Sequence, residues 1–133
     1  MSNKIIKINR GDSYEFDVKI TQKNNDEPYI LQVGQDIVYF ALLFPHQPFE
    51  CAQDWQVKGY WAEDNDQDIS TGNINIKIEP KDTRRLAPGV YYYTVKLRRV
   101  KPGGVRTVLN NTDDDNLIEV RTIVERTKFI INE

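Results

Sequence analysis

The sequence predicts an all-β protein, an antiparallel sandwich of about seven to nine short strands with one helical turn near residues 82–86. Three observations carry that prediction. Several segments alternate apolar and polar residues, no stretch shows the spacing of an amphipathic helix, and Asn73 to Arg99 reads as strand, corner, strand.

In that segment Ile74, Ile76 and Ile78 alternate with Asn73, Asn75, Lys77 and Glu79, the pattern of a half-buried strand. Pro80 ends the strand because it cannot donate to a ladder. Asp82 and Thr83 can cap one helical turn through Leu86, since their oxygens accept from free amides two or three residues on. Pro88-Gly89 then turns the chain into a second strand. There Tyr91, Tyr93, Val95 and Leu97 share one face, and Tyr92, Thr94, Lys96 and Arg98 the other. A tyrosine-bearing corner of this kind is how an immunoglobulin-like sandwich crosses between its sheets. Tyr91 and Tyr93 are therefore expected in the core, with Tyr92 at the corner or surface.

The other elements follow in order. Ile5 to Asn9 is a short first strand, and Arg10-Gly11-Asp12 a turn that needs glycine and welcomes aspartate. That need explains the tripeptide without invoking integrin recognition. In Ser13 to Thr21, Tyr14, Phe16, Val18 and Ile20 alternate with polar residues. Asn24 to Pro28 is a polar turn, after which Tyr29 to Leu31 packs back. Ile37 to Phe44 is apolar on both faces, so it is either a covered central strand or part of a subunit contact. Trp55 to Trp61 is the next strand. Its alternation groups Trp55, Val57 and Trp61, expected inward, against Tyr60, expected outward. Lys101 to Gly104 is a hairpin turn leading to a strand at Val105 to Leu109. Leu117 to Val124 and Lys128 to Ile131 close the sheet, with a break at Glu125-Arg126.

Length and composition suit a single domain over residues 1–133, with 39% hydrophobic, 29% charged and 11% aromatic residues. A net charge of −2, with Lys96, Arg98, Arg99 and Lys101 as the nearest thing to a basic cluster, gives no basis for nucleic-acid binding. The single cysteine, Cys51, excludes an internal disulfide and a multi-cysteine metal site, and it reads as an inert small side chain. The N-terminal segment lacks the apolar run of a signal peptide, and no window approaches a membrane span.

Reactive constellations are sparse. His46 stands alone between Pro45 and Pro48, and none of the three serines lies in a nucleophile-elbow sequence. No paired carboxylates, phosphate loop or dinucleotide fingerprint stands out, so no enzyme activity and no cofactor are expected. Asp64, Asp66 and Asp68 alternate like the opening of a calcium loop. Ile69 and Asn75 occupy the positions where such a loop needs glycine and glutamate, which favours a solvated loop over a metal site. Asp113 to Asp115 has still less spacing logic. For protein contacts the candidates are the strand Ile37 to Phe44 and the loop residues Phe44, Pro45, Pro48 and Phe49. For sugar stacking they are Tyr60 and Tyr92, ahead of the inward-facing tryptophans.

Several of these patterns together resemble a known family. Ile8 to Ile20 reads Ile-x-Arg-Gly-Asp-Ser-x-x-Phe-x-Val-x-Ile. Pro28 to Leu31 is followed by Gly34 and the strand Ile37 to Leu43. Ile74 to Tyr93 contains Ile-x-Ile-x-Ile-x-Pro-x-Asp-Thr-x-x-Leu-x-x-Gly-x-Tyr-Tyr-Tyr, and Thr127 to Ile131 forms the last strand. The set resembles the N-terminal immunoglobulin-like domain of baseplate upper proteins and related tail-tip proteins of phages infecting Gram-positive bacteria. The resemblance implies a non-enzymatic structural protein of a virion or prophage particle, made in the host cytoplasm. Its partners would be other phage structural proteins, with homo-oligomers expected and neither nucleic acid nor membrane involved. The alternative is a carbohydrate-binding module that recognises a bacterial cell-surface glycan.

Overall fold

A computed structural model describes residues 4–61, 72–102 and 117–133. The expected strand Val105 to Leu109 and the acidic runs Asp64–Asp68 and Asp113–Asp115 lie outside those residues. The described part is mostly strand: β1 (Ile6–Asn9), β2 (Tyr14–Lys19), β3 (Asp36–Leu43), β4 (Val57–Trp61), β5 (Asn73–Ile78), β6 (Gly89–Val100) and β7 (Leu117–Asn132). One helical turn, α1 (Pro80–Thr83), and two short 3-10 turns, Phe49–Cys51 and Asp54–Gln56, complete it.

Five strands form a curled sheet in the order β1-β7-β6-β3-β4, while β2 and β5 form a second, two-stranded sheet. The first sheet is mixed, which corrects the expectation of a wholly antiparallel arrangement. β1 runs parallel to β7, with Ile6 beside Phe129 and Ile8 beside Ile131. Period-two patterning sets which face a strand buries, but the relative direction of the first and last strands depends on where the chain must turn. Here the Arg10 amide donates to Asn132 O at 2.7 Å, and the turn at Gly11 (φ 83°) carries the chain straight into the other sheet.

The two sheets share one core. Ile74, Ile76 and Ile78 of β5 and Val18 of β2 face Val38, Phe40 and Leu42 of β3, Tyr91, Tyr93, Val95 and Leu97 of β6, and Phe129 and Ile131 of β7. Phe16 of β2 meets Tyr93 edge-on at 5.8 Å and Phe40 at 6.2 Å between ring centres, which locks the sheets together with aromatic contacts. All eight residues of β3 are buried. Its inner face meets this core. On its outer face Ala41 and Leu43 pack with Ala52, and half-buried Phe49 and Val57 close over them. The chain between β3 and β4 thus folds back over the strand that precedes it, so β3 is a covered strand.

Tyr29 to Leu31 packs back as expected, Leu31 being buried and Tyr29 lying against the core, with a Thr21–Pro28 bridge marking the return. Two boundaries differ from the sequence reading. The helical turn begins at Pro80, because a proline that cannot extend a ladder suits the first helical position. Asp82 closes that turn from inside, its carboxylate accepting from the Glu79 amide at 2.7 Å. The break expected at Glu125-Arg126 is a bulge within one continuous β7, since Tyr93 pairs with Thr127 and Val95 with Val124.

The corner is tied to both sheets. Tyr91 donates its hydroxyl to Ala87 O at 2.7 Å. Thr83, fully buried, accepts from the Gly11 amide at 2.9 Å, which joins α1 to the turn between β1 and β2. Thr83→Val keeps the shape but strands that amide, so it should lower the unfolding free energy by about 1–3 kcal/mol in a urea titration. Thr83→Ser should lose far less. An unchanged midpoint in Thr83→Val would show that the bond contributes nothing.

Candidate functional site

The end of the molecule at which β3 finishes and β6 begins carries an exposed aromatic group. Phe44 follows β3 directly and stacks obliquely on Tyr91, 5.6 Å between ring centres. Trp55, on the 3-10 turn before β4, meets the other side of the group edge-on at 6.0 Å from Phe44. Phe44 is 39% exposed and Trp55 56%, so both rings reach solvent. Pro45 and Pro48 are exposed between them.

The loop that presents Phe44 is braced. Its turn closes through Gln47 N to Phe44 O at 3.1 Å, with His46 in the left-handed region at φ 64°. Gln47 and Gln56 pair their side-chain amides, at 3.0 and 3.2 Å, which ties the loop to the turn bearing Trp55. The β7 bulge aims Arg126 at the same loop, where it donates to Gln47 O at 2.7 Å and Phe44 O at 2.9 Å. Its guanidinium also lies 4.8 Å from the Tyr92 ring centre. An apolar pair held this way loses little freedom on binding, which is what an interaction hot spot requires.

The structure separates the residues that sequence reasoning had grouped. Phe44 turns towards Tyr91, whereas Phe49 curls over the outer face of β3 beneath the Lys96 ammonium, 4.6 Å from its ring centre. Tyr92 is half-buried beneath Arg126. Tyr60 faces the opposite way from the expectation. It packs against the inner core, and its hydroxyl accepts from the Lys77 amide at 3.2 Å. Trp55 and Trp61 are the exposed residues instead. The physical reason is that the sheet is covered on both faces, so Val57 belongs to the outer apolar cluster and does not mark the inward side. His46 and Cys51 are both exposed. No group of three or more His, Cys, Asp or Glu side chains that could hold a metal occurs among the described residues. None of the described helices is long and apolar enough to cross a membrane.

At the other end of β3 lies a charged cluster that the sequence reading missed. Asp36 is fully buried at the head of β3. One carboxylate oxygen accepts from the Tyr29 hydroxyl and the Gln32 amide, each at 2.7 Å, and the other from Arg99 Nε at 3.1 Å. Arg99 also donates to the Tyr29 hydroxyl oxygen. Burial, and next the bond to Asp36, push the Tyr29 hydroxyl above the usual tyrosine range, so it remains a donor. An acid heading an eight-residue apolar run, with two arginines on a core strand, was the available signal. A buried charge must be paired. The cluster is a clasp, fastening the loop from Tyr29 to Gln35 against the end of β6.

Comparison with protein-family models, with curated proteins and with solved structures finds no match for the chain.

Removing one partner of the clasp should be costly. Asp36→Ala is expected to destabilise by about 3 kcal/mol, because Arg99, the Gln32 amide and the Tyr29 hydroxyl lose the buried acceptor they share. Asp36→Asn should cost nearly as much, because both carboxylate oxygens accept and an amide puts a donor in place of one of them while removing the charge. Guanidinium unfolding of both variants measures the two losses, and near wild-type stability in Asp36→Asn would contradict the charge-based account.

Proposed function

We propose that this chain is an immunoglobulin-like β-sandwich acting as a non-enzymatic assembly component of a phage or prophage particle, in its tail or baseplate. It works through protein–protein contacts with other particle proteins and with further copies of itself. The observation that carries the reading is the braced, exposed Phe44–Trp55 pair flanked by Pro45 and Pro48. Paired aromatic side chains on a restrained loop favour a protein partner over a reacting substrate. Support for the immunoglobulin-like assignment comes from the five-plus-two strand arrangement and from Tyr91, whose hydroxyl bonds four residues back along the chain. The patterns at Ile8 to Ile20 and Ile74 to Tyr93 support the link to phage tail domains.

The test is incorporation. Particles induced from a lysogen that carries the gene should contain the protein after gradient purification. A Phe44→Ser/Trp55→Ser variant should keep its far-ultraviolet dichroism and cooperative thermal unfolding yet fall at least about tenfold in particle content, as expected for losing two hot-spot rings. Particles that never contain the wild-type chain would refute the assembly role. Full incorporation of the variant would remove the aromatic end from it.

A second reading, a carbohydrate-binding module for a bacterial surface glycan, draws on the exposure of Trp55 and Trp61, at 56% and 36%. Tyr60 and Tyr92 no longer serve it, one ring being core-packed and the other lying beneath Arg126. Quenching of tryptophan fluorescence by cell-wall polysaccharide would favour it, and unchanged emission would count against it.

A further inference from the structure

Among the described residues four strands lack a neighbour on one side: β1, β4, β2 and β5. An open edge presents unpaired backbone donors and acceptors, and a second β-strand is the natural partner for them. β1 is only four residues long, the open side of β5 is capped where Tyr60 receives the Lys77 amide, and the one charge on β4, Lys58, is already paired with Asp82 at 2.7 Å. β2 is different. Ile20 N donates to Gly72 O at 2.8 Å, so the even-numbered residues of this strand direct their backbone groups at β5. Glu15, Asp17 and Lys19 therefore direct theirs outward, and their side chains stand exposed on the solvent face. The edge is bounded above by Arg121, which donates to Thr21 O at 2.9 Å. Beside it runs a cleft of about 520 Å³ that reaches Lys4 and Val124.

We propose that β2 pairs antiparallel with β2 of a second copy of this chain, about a twofold axis at Val18. The charge pattern selects both partner and register. With Val18 opposite Val18 of the copy, Asp17 faces Lys19 and Lys19 faces Asp17, so two ion pairs form by symmetry. The same two residue pairs exchange four backbone hydrogen bonds, since both point their amides and carbonyls outward. Shifting the axis to Asp17 opposes Glu15 to Lys19 twice but sets the two aspartates against each other at its centre, and shifting it to Phe16 sets Glu15 against Asp17 twice, so only the Val18 axis opposes unlike charges alone. Opposite charges directly across an antiparallel pair stabilise it and like charges oppose it. An isologous contact closes at two copies. It uses neither Phe44 nor Trp55; it gives the self-contact of the assembly reading a surface, and its failure would leave the particle-incorporation test untouched.

Sedimentation equilibrium of the pure chain and three variants tests this. Wild type should dimerise. Asp17→Lys and Lys19→Asp should each weaken the dimer by at least about tenfold, because each sets two like-charged pairs across the axis. The double variant Asp17→Lys/Lys19→Asp restores opposite charges in the same register and should regain the dimer. Near-ultraviolet dichroism confirms that each variant is folded, as expected for exposed side chains. A wild-type chain that stays monomeric at its highest workable concentration overturns the proposal, even if another protein's strand binds there. So does a dimer indifferent to both single reversals, or a folded double variant that remains monomeric.

Discussion

Burial of β3 on both faces is the constraint on which the rest depends. A strand of eight buried residues, with an aspartate at its head, has to be covered twice and neutralised once. The second sheet covers it from within through Phe16, Val18 and the three isoleucines of β5. The returning segment covers it from without through Phe49, Ala52 and Val57. Arg99 and Tyr29 neutralise Asp36. Each requirement places a different part of the chain. Apolar burial of this extent supplies most of the driving force for folding, while the polar clasp sets which loop conformation closes the end.

The same constraint explains why the exposed aromatic residues sit where they do. The chain leaves β3 at Phe44, where cover from the second sheet runs out, and must reverse at once to lay Phe49 on the outer face. That reversal puts His46 in a left-handed conformation and leaves Phe44 and Trp55 at the rim. Arg126 can reach the loop only because β7 bulges opposite Thr94, whose hydroxyl donates to Val124 O at 2.7 Å. A local irregularity in one strand thus fixes the geometry of a loop far away in sequence.

Much of this was legible in the sequence. Alternation marked the buried sides of β2, β5 and β6, and Tyr91 and Tyr93 are core residues as the pattern requires. Features set by local chemistry, such as the Pro80 turn and the Gly11 turn, could be read to within about two residues. Features set by pairing between distant segments could not. The parallel placement of β1 against β7 and the continuity of β7 through Glu125-Arg126 depend on partners far along the chain. The sides of Tyr60 and Trp61 were misread because alternation identifies two faces without saying which is inner, and here both carry apolar residues. Asp36 and Arg99 escaped notice because they are 63 residues apart.

Native-state hydrogen exchange measured residue by residue tests the central place of β3 most directly. If β3 is covered on both faces, the amides of Val38, Tyr39, Phe40, Ala41 and Leu42 should exchange only through global unfolding and rank among the slowest in the chain. Exchange of these amides through a smaller, local opening, faster than the amides pairing β2 with β5, would contradict the account.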